Sequence, residues 1–300
     1  MIEYLRDWFW TYIWKPLPDM PFGDWMEAFV RWARDAWSVF FDGTETFLES
    51  LYTGLTEALL FLPSGLMVLL FAAISLAAKG WKLAATVGVG MFIAAWTPYW
   101  DETMQTLSMV VVAAFFATAL ALPLGILASE NRGVSAAMRP ILDFMQTLPG
   151  FVYLLPVVMF YGIGVVPGMI ATIVFCMPPG VRLTELGLRQ VDREVVEAGQ
   201  AFGASPASIL ARIKLPLALP TIMAGLNQVI MLALSMVVIA GLVGGGGLGS
   251  VIVSALGRVE MAQGFNAGLA VVILAIFLDR VMQGLADRTP VARAAAYAAR

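Results

Sequence analysis

The sequence predicts an all-α polytopic membrane protein, on three observations. Of 300 residues, 60% are apolar and only 13% charged, with a mean hydropathy of +0.83. Soluble domains carry about 45–50% apolar and about 25% charged residues, because a surface in water must stay mostly polar. Six stretches are free of Asp, Glu, Lys and Arg: 58–78, 83–100, 103–129, 144–181, 215–257 and 261–278. Each approaches or exceeds the roughly 20 residues that cross a hydrocarbon layer as a helix. Histidine is absent and Cys176 is the one cysteine. That removes His-ligated metals, Ser-His-Asp triads, internal disulfides and thiolate clusters. A net charge of −3 and a pI near 5.1 argue against nucleic acid as a partner.

Residues 1–57 read as an extracytoplasmic tail. They lack the basic start, apolar run and small-residue cleavage site of a signal peptide. Within them 24–42 predicts an amphipathic helix, with Trp25, Phe29, Ala33, Ala36 and Phe40 on one face. A helix rich in Trp and Phe suits the membrane interface. A docking surface for an external partner is the sharper alternative, and a cation site on the tryptophan faces a third. Residues 58–99 hold two additional crossings, 58–78 and 82–99. The core, 100–286, opens with the crossing 103–128. The long stretch 144–181 carries Gly162-Ile163-Gly164 and Pro167-Gly168 in its middle. This turn signal splits it into 144–161 and 166–187. The 215–257 stretch breaks at Gly241 and enters Gly244–Gly247. A crossing therefore ends near 240, and 242–263 reads as a flexible external connection, with an external gate or a re-entrant piece as the functional version. A last crossing, 264–284, and a tail, 287–300, make about seven crossings in all. Thirteen basic residues fall on the side of the C-terminus against five opposite, four of them in the N-terminal tail among ten acidic residues. The positive-inside rule then puts the N-terminus outside and the C-terminus in the cytoplasm.

The longest internal loop, 188–216, predicts a helical hairpin. Asp192 is an N-cap with Glu194 in the first turn, and Val195, Val196, Ala198 and Phe202 make one side apolar. Gly203 stops the helix. Ser205-Pro206 then starts a second short helix running through Ile209, Leu210 and Ile213 to Leu215-Pro216. Two short helices at an angle form a knob, which suits a membrane protein worked from the cytosol.

The spacing Glu197-Ala198-Gly199, three residues, Gly203, nine residues, Ile213-Lys214-Leu215-Pro216 resembles the EAA loop of bacterial ABC importer permeases, with Gly199 where the pattern has Ala. Beyond it, QTLPGFVYLLPVVMFYGIG (146–164), PPGVRLTELGLRQV (178–191), AFGASP (201–206), LPLALPTIMAGLNQ (215–228), LALSMVVIAGLVGGGGLG (232–249) and VVILAIFLDR (271–280) resemble the glycine betaine/proline betaine (ProW-like, quaternary amine) permeases. The resemblance covers much of 100–286, and residues 1–100 are less distinctive. It implies a type I (MetI-like) transmembrane domain in the bacterial inner membrane and a permease homodimer. It also implies two cytoplasmic ABC ATPase subunits that carry ATP and Mg, and an extracytoplasmic solute-binding protein. By it, Glu197, Ala198, Gly199, Gly203, Ile213, Leu215 and Pro216 form the element that seats in the ATPase. The chain itself has no G-x-x-x-x-G-K-[ST] and is expected to hold no cofactor and no ATPase site.

The implied cargo is glycine betaine or proline betaine, with choline, carnitine or trimethylamine N-oxide as alternatives. Polar groups inside crossings are costly and often functional. Gln228 and Ser235, seven apart, share a face with Asn227 alongside; Thr172 and Cys176, four apart, share another. Phe151 and Tyr153, with Phe160 and Tyr161, offer ring faces for a quaternary ammonium. Helix–helix hydrogen bonding and packing are the competing readings of these residues. A secondary, ion-coupled transporter is the rival class; it usually shows intramembrane charges and internal repeats, whereas here Asp101, Glu102, Asp143, Arg182 and Asp279 sit at helix ends. Mobile helix kinks at Pro149, Pro156, Pro178, Pro179, Pro216 and Pro220 would suit alternating access.

Overall fold

A computed structural model describes residues 1–8, 10 and 21–288. The expected tail 287–300 lies almost wholly outside the described residues, as do parts of the N-terminal tail. The described residues are helices joined by short turns: α1 (Ile2–Trp8), α2 (Phe22–Ala36), α3 (Ser38–Leu60), α4 (Ser64–Lys79), α5 (Trp81–Trp96), α6 (Trp100–Glu130), α7 (Arg132–Thr147), α8 (Leu154–Tyr161), α9 (Val165–Arg189), α10 (Arg193–Ala201), α11 (Pro206–Ile209), α12 (Leu215–Ala240), α13 (Gly247–Arg258) and α14 (Met261–Ala286). Two compact units are present, one ending at Asp42 and one beginning at Gly43. In the first, the amphipathic segment expected over 24–42 is α2, which stops at Ala36 before α3 starts at Ser38. Its Trp25, Phe29 and Trp32 are exposed.

The seven expected crossings resolve into three kinds of element. Four helices are long and apolar enough to cross alone: Trp100–Glu130, Val165–Arg189, Pro206–Val243 and Met261–Ala286. Two crossings belong to bent pairs: Ser38–Leu60 with Ser64–Lys79, turned by 102°, and Arg132–Thr147 with Gly150–Tyr161, turned by 110°. Prolines place both bends. Leu148, before Pro149, is extended (ψ 131), as the ring of a following proline demands; Pro63 itself is extended (ψ 141) as the residue that precedes α4. The seventh, α5, has only 16 residues. By length and composition the described residues thus hold four to six spans. Pro178 and Pro179 sit inside α9, and Pro220 inside α12, without ending either helix.

The core lies where α9 passes between α6 and α12. Apolar side chains gain little by leaving lipid for one another, so spanning helices associate through close van der Waals contact at small residues. On α9 a Cβ at Gly168 would lie 2.8 Å from Ala240 Cβ, one at Gly180 2.9 Å from Ala121 Cβ, and one at Gly187 3.0 Å from Thr221 Cβ. From the facing helices, Gly225 closes on Leu183 and Gly125 on Thr184 in the same way. Met104, Met109, Met169 and Met236 are fully buried and fill the irregular gaps that remain.

The expectation of a flexible glycine connector after 240 is corrected by the structure. Gly241–Val243 makes a 3-10 turn, Gly244 is left-handed, and Gly247 begins α13, a 12-residue apolar helix. The run is a tightly packed backbone crossing. A Cβ on Gly241 would fall 2.3 Å from the Gly249 carbonyl carbon, and one on Gly249 2.6 Å from the Val237 carbonyl oxygen. The first amides of α13 are capped from another helix: Gly247 N–H donates to Gln105 Oε1 (3.0 Å) and Leu248 N–H to Thr106 Oγ1 (2.8 Å). Gly164 N–H donates to the Val243 carbonyl (3.0 Å), tying in the α8–α9 turn. Glycine is used here for close approach, which one-dimensional reading takes for slack.

Two glycines of α13 separate packing from propensity. Gly249→Ala drives a methyl into backbone and is expected to lower stability by about 1–3 kcal/mol. Gly257→Ala meets open space and should be neutral or stabilising by up to about 1 kcal/mol. Thermal melts of the two purified variants in one detergent give the comparison.

Candidate functional site: the α10–α11 hairpin and the exposed face of α12

The hairpin begins where the sequence places it. Asp192 accepts the Glu194 N–H (2.9 Å), and α10 follows. Its end is a Schellman motif: Gly203 N–H donates to the Gln200 carbonyl (2.9 Å) and Ala204 N–H to the Gly199 carbonyl (3.1 Å). Gly203 sits at φ +77, which an L side chain adopts only under strain. Ser205 then caps α11, accepting the Ser208 N–H at 3.3 Å.

The second arm differs from the expected short helix. After α11, Leu210–Lys214 forms a π turn that runs directly into α12. Pro206–Val243 is therefore one unbroken 38-residue helix whose inner end is an arm of the hairpin. A π turn accommodates one extra residue without breaking the axis. The two arms meet at Gly199, where a Cβ would lie 2.6 Å from Ile213 Cδ1. An alanine there would require Ile213 to swing aside, which gives the departure from the E-A-A pattern a local reason. Ile209 is buried in the same contact.

The tip of the hairpin is bare and its base is tied down. No residue of α10 is buried, and Phe202 is 92% exposed. Glu197 pairs only within its own helix, with Arg193 at 3.1 Å, and both are exposed. At the base, Lys214 binds Glu130 at the end of α6 (2.7 Å). Glu185 on α9 accepts from Ser135 on α7 (2.6 Å) and pairs with Arg189 (3.0 Å), which also donates to the Ala128 carbonyl of α6 (2.8 Å). Glu185, Ser135 and Lys214 were not among the residues singled out from sequence. Only their position at the charged ends of apolar runs signals them.

The candidate path residues separate into two groups. Gln228 and Ser235 are exposed on α12, in line with the exposed Ala224. Asn227 turns the other way, its amide donating to Asp279 on α14 (3.0 Å), which also accepts from Gln283 (2.7 Å). Thr172 and Cys176 are fully buried; Thr172 bonds back to the Gly168 carbonyl (2.7 Å) and Cys176 lies in the main apolar cluster. Tyr153 is buried against Phe175, rings 5.6 Å apart, with its hydroxyl donating to the Met145 carbonyl. Phe151 is exposed.

A bundle of apolar helices with one bare, capped hairpin outside its apolar runs defines a polytopic membrane protein. The chain belongs to the family described as binding-protein-dependent transport system inner membrane component, which it matches over residues 121–289. It is 43% identical to the glycine betaine transport system permease protein OpuAB of Bacillus subtilis, over 90% of this chain and 95% of that one. It is 40% identical to the glycine betaine/proline betaine transport system permease protein ProW of Escherichia coli, over 89% of this chain and 75% of that one. Its fold is similar to that of the MetNI methionine ABC transporter in inward-facing conformations, with a TM-score of 0.52 and 26% identity, over 65% of this chain and 95% of that one. The MetI-like architecture expected from the sequence is thereby met, and the protein is a multi-pass permease of the inner membrane.

The hairpin's two caps are separable. Gly203→Val should strain the left-handed position and unravel the end of α10, and Asp192→Ala should cost about 1 kcal/mol at its start. Hydrogen–deuterium exchange should rise across 193–206 in both variants and stay unchanged in α9.

Proposed function

We propose that the chain is the transmembrane permease of an ATP-driven importer for glycine betaine, proline betaine or a related methylated amine. In this reading two copies form the pore, two cytoplasmic ATPase subunits bind ATP and Mg, and an external binding protein delivers the cargo. The single observation that carries it is the exposed hairpin tip above an anchored base. An unpaired, solvated apolar surface bearing Phe202 and Val195 is costly to leave bare and suits a groove in a protein partner. Its basic and acidic groups, Arg193 and Glu197, are satisfied only weakly, by an exposed helical pair. The orientation follows from the basic loops: hairpin and C-terminus inside, N-terminus outside.

Closure of the ATPase subunits would draw two such hairpins together. Because the second arm is the inner end of α12, the push reaches the crossing directly. ATP must bind the outward-open arrangement more tightly than the inward-open one for the population to shift. The exposed strip of α12 with Gln228 and Ser235 is the polar part of the cargo path between two copies, and Phe151 offers an aromatic face beside it. In this reading Cys176, Tyr153 and Asn227 serve packing between elements, and Thr172 is satisfied within α9. The N-terminal α2 rests in the membrane interface through Trp25, Phe29 and Trp32.

The test is uptake of radiolabelled glycine betaine by proteoliposomes holding the complete transporter. Glu197→Lys is expected to cut ATP-driven uptake by about one to two orders of magnitude, the worth of a charge-assisted contact at an interface, while the permease still assembles. Uptake that persists without ATP and follows an ion gradient would show a secondary transporter instead. Preference for choline, carnitine or trimethylamine N-oxide over glycine betaine would move the cargo within the same class. Gln228→Leu should lower the cargo-dependent rate several-fold while ATPase subunits remain bound, since it removes a polar group from the path rather than from the hairpin.

A further inference from the structure

We propose that the cleft where the α4–α5 turn meets α14 binds the phosphate-bearing headgroup of an anionic lipid. The proposal rests on the chain lying in a membrane and not on the cargo or the ATPase reading. The cleft measures about 550 Å³ and is lined by Lys79, Lys82, Leu83, Thr86, Ile276 and Arg280. Three of the six lining residues are cations and none is a carboxylate.

Local structure brings these cations together. Gly80, at φ +91, reverses the chain so that Lys79 ends α4 and Lys82 lies in the first turn of α5. Gly284 lets α14 pass against the end of α4, since a Cβ there would lie 2.8 Å from the Ala78 carbonyl. Arg280 is one turn away on α14. The neighbouring acids neutralise the group incompletely. Lys79 reaches Asp287 at 3.2 Å, and Arg280 stands 3.9 Å from Asp279, which is already engaged by Asn227 and Gln283. Lys82 has no carboxylate partner among the described residues. Like charges held this close favour any anion that sits between them.

The level of the cleft points to lipid. α5 starts at Trp81, 71% exposed, and ends at Trp96, 81% exposed. Tryptophan is enriched at the headgroup level, and Trp81 stands there beside Lys82. The cations therefore lie at one headgroup level. From there Val89, Phe92 and Ile93 run exposed along α5, an apolar track for an acyl chain. The cleft carries both kinds of wall, with Leu83 and Ile276 beneath the cations. Basic pockets between spanning helices are recognised ground for such headgroups. A zwitterionic lipid brings its own cation and gains less.

The experiment uses the full chain, purified in nonionic detergent and incubated with phosphatidylglycerol or with phosphatidylcholine of the same acyl chains. Retained lipid is counted by native mass spectrometry. The wild-type protein is expected to retain phosphatidylglycerol in preference, and the double variant Lys82→Gln, Arg280→Gln to lose about tenfold or more of that retention. Lys82→Arg should keep it. Equal retention of the two lipids by the wild type overturns the proposal without any variant. So does undiminished phosphatidylglycerol on the double variant. Displacement of the lipid by millimolar inorganic phosphate would assign the cations to a soluble anion and overturn the lipid assignment.

Discussion

In hydrocarbon, side chains have no water to escape, so closeness is what holds this bundle. The contacts of α9 with α6 and α12 depend on residues that give up their side chains: Gly168, Gly180 and Gly187 on α9, Gly125 and Gly225 facing it. Everything functional hangs from that contact. α9 feeds the hairpin at Arg189 and α12 receives it at Leu215. If those two helices were spaced by ordinary side chains, Gly199 could not meet Ile213 and the arms of the hairpin would part. The same device recurs at the other end, where Gly241 and Gly249 cross backbone on backbone.

The hairpin obeys the opposite physics. It lies in water, where caps and charges count, and it uses both. Asp192 and Ser205 begin its arms, and Gly203 closes the first with two carbonyls satisfied. Its base is fixed by the Lys214–Glu130 ion pair to the end of α6 and by the Ser135 hydroxyl of α7 on Glu185, partly buried and so less screened than surface contacts. Its tip carries no such ties. A bound base and a free tip are what the proposed coupling role asks of such a hairpin.

Much of this was legible in the sequence, and the failures have physical causes. Composition and charge-free runs gave the class, and cap residues gave the start of α10 and the turn at Gly203, because these are local signals. The E-A-A spacing picked out the hairpin for the same reason. The bends at Pro63 and Pro149 were missed as bends, since hydropathy reports burial in lipid and not direction. The glycine run after 240 was misread because flexibility and close packing demand the same residue, and only the neighbour decides between them. Asn227 looked like a companion of Gln228, but one position along a helix turns a side chain by about 100°, enough to face Asp279 instead. The second arm was cut short at Pro216 because a proline tolerated in a first turn and one that starts a new helix look alike.

The absence of a joint between Pro206 and Val243 has a mechanical outcome. At 1.5 Å per residue, 38 residues make a beam about 57 Å long. Its outer end is wedged under the glycine crossing, where Gly249 rides on the Val237 carbonyl. A beam without a joint carries a push at its hairpin end through to its glycine end, so the two ends move as one piece.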